Sequence, residues 1–190
     1  MAKNLTLILG GAGAGKSALA ERMAAQAGKQ VLFVATAEAG DAEMTERIRK
    51  HKAARPAHWR TLEEPLNVRD AIQRDTAPSD VVLLDCLTLW VSNLLLKYEH
   101  EKTAQEQITQ QAQDLLAFIG RDKRTWFVVS NEVGMGVVPE HPLGRAYRDA
   151  LGKVNQLFAA QAGSVQLVIA GLAWDLKASS IRPLEHNSGG

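Results

Sequence analysis

Short apolar runs alternate along the chain with longer amphipathic segments, and this alternation predicts the order of strands and helices. Five runs rich in Val, Leu, Ile and Phe have the length of buried strands, namely residues 5–9, 31–35, 81–85, 126–130 and 166–170. Nearly continuous apolar strands are typical of a parallel sheet that is covered on both faces. A shorter extra strand is expected around residues 59–62.

The segments between these strands have the apolar spacing of helices that bury one face. The pattern predicts helices over residues 17–27, 42–54, 87–96, 103–119 and 144–162. Alternating strands and helices indicate an α/β fold in which a mostly parallel sheet has helices on both faces. We expect residues 1–190 to form one domain, with a flexible C-terminal tail from about residue 178.

The amino-acid composition indicates which binding partners and which cellular compartment to expect. The 190 residues include 22 basic and 21 acidic side chains, so the net charge of +1 creates no field that would attract nucleic acid or anionic membranes. The one cysteine, Cys86, excludes an internal disulfide and lies in an apolar run, where cysteine usually fills core space. The sequence shows neither a signal peptide nor an uninterrupted apolar span. We expect a soluble cytoplasmic protein that binds no nucleic acid and does not insert stably into membranes.

A glycine-rich loop follows the first expected strand and has the sequence of a phosphate loop. It reads G-G-A-G-A-G-K-S and opens the first expected helix. Backbone N–H groups of such a loop and the helix amino terminus cradle phosphate oxygens. We expect Lys16 to reach the β- and γ-phosphates and Ser17 to ligate Mg²⁺. The alternative, a plain glycine-rich turn, is disfavoured because pattern and context agree. The residues expected to contact nucleotide are Gly10, Gly11, Ala12, Gly13, Ala14, Gly15, Lys16 and Ser17.

The expected strand 81–85 ends in Asp85, the second feature of a phosphate-loop protein. A carboxylate at this point holds Mg²⁺, directly or through water, opposite the loop serine. The alternative is that Asp85 only caps the helix that follows. The chain lacks the Asn-Lys-x-Asp pattern that reads guanine, which argues against a regulatory GTPase. The spacing does not distinguish ATP from GTP.

One histidine lies within a basic segment. On the helix expected over residues 42–54, His51 shares the inward stripe with Met44 and Ile48, and Arg47 and Arg55 flank it at four-residue intervals. Arginines suit phosphate oxyanions, and a neutral imidazole among them is a candidate nucleophile toward phosphorus. The alternative is a hydrogen-bonded core histidine, and the residues alone leave both possibilities open.

Four blocks of sequence resemble one family, the bifunctional adenosylcobinamide kinase/adenosylcobinamide-phosphate guanylyltransferases of cobalamin biosynthesis. They cover nearly the whole chain in the family's order. The blocks are the phosphate loop, A-T-A followed by E-M-T-E-R-I-R-K-H-K-A-A-R-P-A-H-W-R-T-L-E, L-L-D-C-L-T-L-W-V-S-N-L-L, and S-N-E-V-G-M-G-V-V-P followed by L-G-R-A-Y-R-D-A-L-G-K-V-N-Q.

The resemblance implies a single phosphate-loop NTPase domain of RecA-like type and a two-step activity. Adenosylcobinamide is phosphorylated with ATP or GTP, and GMP then passes from GTP to the phosphate, giving adenosylcobinamide-GDP and pyrophosphate. His51 is implied to carry the guanylyl group, with Lys16 as the other catalytic residue, Ser17 and Asp85 as Mg²⁺ ligands, and a homotrimer as the assembly. Beyond the phosphate loop, the implied nucleotide contacts are Ala35, Thr36, Ala37, Lys52, Ala53, Ala54, Arg55, Glu63 and Asp85.

Two other readings of the residues remain open. One is a simple small-molecule kinase without a covalent intermediate, and the other is a nucleotide-dependent interaction module. The chain also departs from the family loop G-G-A-R-S-G-K-S, because Gly13 and Ala14 replace the Arg-Ser pair. The departure removes two side chains from the loop, and the backbone that cradles phosphate remains. The glycines of residues 131–136 suggest a mobile segment that closes over the corrinoid, with a plain loop as the alternative.

Overall fold

A computed structural model describes residues 2–38, 40, 46, 49, 52 and 55–178. The strands in these residues are β1 (Ala2–Gly10), β2 (Val31–Ala35), β3 (Arg60–Glu63), β4 (Val81–Asp85), β5 (Thr125–Val129), β6 (Ala162–Ile169) and β7 (Leu172–Asp175). The helices with full bounds are α1 (Lys16–Ala27), α2 (Val68–Arg74), α3 (Leu87–Lys97), α4 (Ala104–Ile119) and α5 (Pro142–Gln161). Among the described helices, none has both the length and the apolarity needed to cross a membrane.

The strands form one sheet with the order β3-β2-β4-β5-β1-β6-β7. Every neighbouring pair is parallel except β6 and β7, which form an antiparallel hairpin. One strand, β5, therefore separates β1, which leads into the phosphate loop, from β4, which ends in Asp85. This mostly parallel sheet confirms the predicted α/β class and is consistent with the RecA-like type.

The side chains on the two faces of the sheet pack into two separate hydrophobic cores. Leu5 and Leu7 of β1 point into a core shared with α2, α3, α4 and α5, whereas Ile8 packs with α1 and Trp59 on the opposite face. The inner strands β2, β4, β5 and most of β1 thus bury successive side chains on alternate faces, which explains why they are apolar almost without interruption. Full burial of each large apolar side chain contributes about 1.5–3 kcal/mol. The largest of them, Trp90 and Trp126, belong to the core on the four-helix face.

The predicted strands and the predicted helices outside residues 42–54 are all present, including the short strand expected around residues 59–62. Two elements were missed, α2 and β7, and the boundary between α5 and β6 was misplaced. The sheet begins earlier than expected at both β1 and β6, because Ala2 pairs with Ala162. In the helix expected over residues 42–54 only three residues are described, and they are helical: Glu46, Arg49 and Lys52. The tail expected from about residue 178 lies almost wholly outside the described residues.

A substitution at the end of β1 tests how closely the start of the phosphate loop packs against the neighbouring strand β6. A Cβ added to Gly10 would lie 2.2 Å from the carbonyl oxygen of Val168 in β6, and Gly10 has φ +151°. We predict that Gly10→Ala lowers the free energy of unfolding by about 1–3 kcal/mol or more, because the backbone of β6 must move. Urea unfolding followed by circular dichroism measures the change.

Gly11→Ala is the matched control, since a Cβ at Gly11 would meet no atom within 4 Å. It should change the free energy of unfolding by no more than about 0.5 kcal/mol. Equal stability of the two variants would contradict the packing of the loop against β6.

Candidate nucleotide-binding site

Residues from separate parts of the chain meet at the carboxyl edge of the sheet. Ala35 is level with Glu63 on β3 and with Asp85 on β4, so these three residues form one row across adjacent strands. The phosphate loop leaves β1 at the same edge, two strands further along. Ligands of open α/β sheets bind at the carboxyl ends of the strands. The parallel register thus assembles the predicted nucleotide contacts at one edge.

The phosphate loop connects β1 to α1 in conformations that require glycine. Gly13 has φ +71° and Gly15, which caps the amino terminus of α1, has φ +99°. Lys16 is buried, and its Nζ donates a hydrogen bond to the carbonyl oxygen of Gly11 at 2.6 Å. Ser17 is partly buried in the first turn of α1. The 12-residue helix directs its amino terminus, the end that favours anions, at this loop.

Two neighbouring loops hold the phosphate loop in place. The backbone N–H of Glu132, just after β5, donates to the carbonyl oxygen of Gly10 at 3.1 Å. The N–H of Gly171, in the turn between β6 and β7, donates to the carbonyl oxygen of Ala14 at 3.1 Å. These bonds fix the loop from both sides, and the contact from Gly171 was not predicted from the sequence.

Thr36 lies where β2 ends, beside Asp85. The side chain is 0% exposed, and its Oγ1 donates to the carbonyl oxygen of Cys86 at 2.7 Å and accepts from the Cys86 N–H at 2.9 Å. Nδ2 of Asn93 donates to the carbonyl oxygen of Thr36 at 2.8 Å. The hydroxyl of Thr36 is therefore engaged within the protein, and a contact of Thr36 with nucleotide stays a prediction.

Cys86 packs beside Asp85 and against the α1-side core. Burial and the nearby Asp85 carboxylate raise the pKa of the Cys86 thiol to about 11. The thiol stays protonated at neutral pH and is a poor nucleophile. This agrees with the expectation that the single cysteine fills core space.

Arg55 supplies a cation close to the row of strand ends. Its guanidinium carbon lies 3.4 Å from the centroid of the Phe33 ring, a close cation–π contact. Burial lowers the pKa of Arg55, and the carboxylates of Glu21, Asp85 and Glu63 oppose that change. Among the described residues, the buried Nε of Arg55 has no hydrogen-bond acceptor. A phosphate oxygen is the kind of acceptor that would satisfy this donor.

A second cation stands nearby. Lys52 forms a salt bridge with Glu63, and both side chains are partly exposed. The structure therefore brings together Lys52, Arg55, Glu63 and Asp85 out of the predicted contacts. His51, Ala53 and Ala54 lie outside the described residues, and the predicted nucleophile is not part of this geometry.

The donors at this edge fit a small hard cation. Asp85 offers a carboxylate at the end of β4, and Ser17 offers a hydroxyl in the first turn of α1. Mg²⁺ prefers oxygen ligands and is usually held by one or two carboxylates together with substrate phosphates. The residues present therefore suit Mg²⁺, and their role as its ligands stays a prediction.

The chain is similar to known proteins over almost its full length. A family model described as cobinamide kinase / cobinamide phosphate guanyltransferase matches residues 6–176. The bifunctional adenosylcobalamin biosynthesis protein CobP of Pseudomonas aeruginosa is 46% identical over 171 residues, which span 90% of this chain and 96% of that protein. The proteins named bifunctional adenosylcobalamin biosynthesis protein CobU of Escherichia coli and Salmonella typhimurium are 42% and 41% identical over 181 residues, 91% of this chain and 99% of each relative. All described segments of the site lie inside the matched span.

The guanidinium of Arg55, which stacks on the ring of Phe33, allows a test of the nucleotide-binding site. We predict that Arg55→Lys weakens binding of GTP about tenfold, because lysine keeps the charge but loses the planar group that stacks on Phe33 and donates to phosphate. Isothermal titration calorimetry measures the affinity. Arg49→Lys is the control, since Arg49 is exposed and pairs with Glu46. Equal affinities of the two variants would remove Arg55 from the nucleotide site.

Proposed function

Because the chain belongs to the cobinamide kinase / cobinamide phosphate guanyltransferase family, we propose that it makes adenosylcobinamide-GDP in two steps. It phosphorylates adenosylcobinamide with ATP or GTP, and it then transfers GMP from GTP to the new phosphate. The observation that carries the proposal is the meeting of the phosphate loop with Asp85, Glu63 and Arg55 at one sheet edge. The single cysteine and these substrates suit the cytoplasm.

The phosphate loop binds the triphosphate in both steps. Lys16 is held at the loop by its bond to the carbonyl oxygen of Gly11, and phosphate oxygens replace that acceptor when nucleotide binds. Ser17 and Asp85 would hold Mg²⁺, which would neutralise negative charge on the phosphates. Loss of one such stabilising donor typically costs about 2.7–4 kcal/mol of transition-state stabilisation.

His51 acts as the nucleophile of the guanylyl step. A ring nitrogen attacks the α-phosphorus of GTP, a P–N bond forms, and the bond to pyrophosphate breaks. A phosphate oxygen of adenosylcobinamide phosphate then attacks the same phosphorus, the P–N bond breaks, and the imidazole is released. Arg55 and Lys52, two described basic residues near His51 in sequence, stabilise the negative oxygens during both displacements.

The loop after β5 supplies a surface for the corrinoid. Its start is fixed, since the N–H of Asn131 donates to Oγ1 of Thr88 at 2.7 Å and Nδ2 of Asn155 donates to the carbonyl oxygen of Asn131 at 3.0 Å. Beyond that anchor the loop exposes Met135 and Val137, the latter 95% exposed. A loop with exposed apolar side chains that begins beside the phosphate loop can cover the corrin ring of the substrate while its base stays in place.

A second apolar surface supports assembly into a homotrimer. On the β6–β7 hairpin, Ile169 is opposite Leu172 and Leu167 is opposite Trp174, so all four residues share one face. Ile169, Leu172 and Trp174 are largely exposed, with Leu172 at 77%. Exposed apolar clusters of this kind mark protein contacts, and another copy of the chain is the occupant we propose.

The covalent step gives the first test. Protein incubated with α-phosphorus-labelled GTP and then denatured should carry label that acid removes and alkali does not, as expected of a phosphoramidate. His51→Ala should carry none, and His58→Ala, which alters a neighbouring exposed histidine, should be labelled normally. Absence of label from the unaltered protein would favour a simple kinase. Turnover that requires a protein partner, without any for cobinamide, would favour an interaction module.

Assembly gives the second test. We predict that Leu172→Lys converts a trimer into monomers in sedimentation velocity, because the charge lies on the apolar face of the hairpin. Leu96→Lys is the matched control, since Leu96 is 54% exposed on α3, away from the hairpin, and should leave the trimer intact. A monomeric unaltered protein, or an intact trimer of Leu172→Lys, would contradict the proposed interface.

A further inference from the structure

Thr36 makes three hydrogen bonds to the backbone that follows Asp85. The N–H of Thr36 donates to the carbonyl oxygen of Asp85 at 3.2 Å. Its Oγ1 accepts from the N–H of Cys86 at 2.9 Å and donates to the carbonyl oxygen of Cys86 at 2.7 Å. The carbonyl and the N–H of the peptide group between Asp85 and Cys86 are thus both bonded to Thr36.

That peptide group sets the direction of the Asp85 side chain. The plane of a peptide is rigid, so bonds to both of its polar ends fix the backbone dihedral of the residue before it. Asp85 is the last residue of β4, where it pairs with Ala35 of β2 and Val129 of β5. The peptide group that follows Asp85 is held by Thr36.

Asn93 holds Thr36 from the other side. Its Nδ2 donates to the carbonyl oxygen of Thr36 at 2.8 Å and to that of Pro65 at 3.2 Å. Asn93 belongs to α3, which packs in the core of the four-helix face. The chain of contacts therefore runs from a buried helix through Thr36 to Asp85.

We propose that Thr36 is a positioning residue, which aims the Asp85 carboxylate at Mg²⁺ and does not bind nucleotide through its own side chain. This inference rests on the proposed function, because it takes Asp85 as a Mg²⁺ ligand. Valine has the shape of threonine without its hydroxyl and leaves the N–H of Cys86 without the acceptor that it has in Thr36. Serine keeps the hydroxyl and all three bonds.

The test compares binding of a fluorescent GTP analogue with Mg²⁺ and with a chelator in its place. Mg²⁺ should strengthen binding by the unaltered protein. In Thr36→Val, the concentration of Mg²⁺ needed for half of that gain should rise about tenfold, as is usual when the support of a metal ligand is removed. Binding without Mg²⁺ should change less than about twofold, and Thr36→Ser should restore the normal Mg²⁺ response.

Asp85→Asn separates this inference from the proposed function. If Asp85→Asn keeps the full Mg²⁺ gain, the metal role of Asp85 fails, and the positioning role fails with it. If Asp85→Asn loses the gain while Thr36→Val keeps it, only the positioning role of Thr36 is overturned. Equal weakening of Thr36→Val with and without Mg²⁺ would instead place the Thr36 hydroxyl on the nucleotide.

Folding is checked by circular dichroism before binding is measured. Thr36→Ala, which removes the hydroxyl without placing a second methyl group against Cys86, is the second variant and should match Thr36→Val in its Mg²⁺ response. If both variants without the hydroxyl fail to fold while Thr36→Ser folds, the role of Thr36 is structural and the proposal is overturned.

Discussion

The site depends on the parallel register that makes the ends of β3, β2 and β4 level with one another. That register places Glu63, Ala35 and Asp85 in a row, and the same sheet carries the phosphate loop two strands away. Apolar side chains on both faces enforce the register, since a slip by one residue would exchange the two cores. The positions of the site residues at the sheet edge therefore depend on the packing of the two hydrophobic cores.

Helix α3 is buried in one of these cores, and its side chains fix the positions of three loops. Three of its polar side chains reach three different loops: Oγ1 of Thr88 accepts from the N–H of Asn131, Nε1 of Trp90 donates to the carbonyl oxygen of Leu66, and Nδ2 of Asn93 donates to Thr36 and Pro65. Buried polar groups that are fully hydrogen-bonded favour one arrangement over its alternatives. The loops after β2, β3 and β5 are thereby fixed to a single buried helix.

The sequence predicted the parts of the fold that have a periodic or local pattern. The buried strands, the phosphate loop and the long helices follow from apolar spacing and from the order Gly, Lys, Ser at a strand end. Helix α2 has only seven residues and strand β7 only four, which is too short for periodicity to distinguish them from loops. The hydrogen bonds between Thr36 and Cys86 were not predicted, because the two residues are 50 positions apart in sequence. Bonds between distant residues leave no periodic pattern.

The phosphate loop departs from the loop pattern of the family that the sequence resembles. Gly13 and Ala14 replace an Arg-Ser pair, and Gly13 has the left-handed φ of +71° that glycine adopts without strain. The loop keeps its bonds to the neighbouring turns, since Ala14 still accepts from Gly171 through its backbone. With Gly13 and Ala14 in place, the loop is therefore held by backbone hydrogen bonds from its neighbouring turns.

Mass spectrometry of the products formed from the purified protein, Mg²⁺, adenosylcobinamide and GTP tests whether this chain performs both transfers. We expect adenosylcobinamide phosphate first, then adenosylcobinamide-GDP with one pyrophosphate for each GMP transferred. Failure to form adenosylcobinamide-GDP, even when adenosylcobinamide phosphate is supplied, would contradict this expectation.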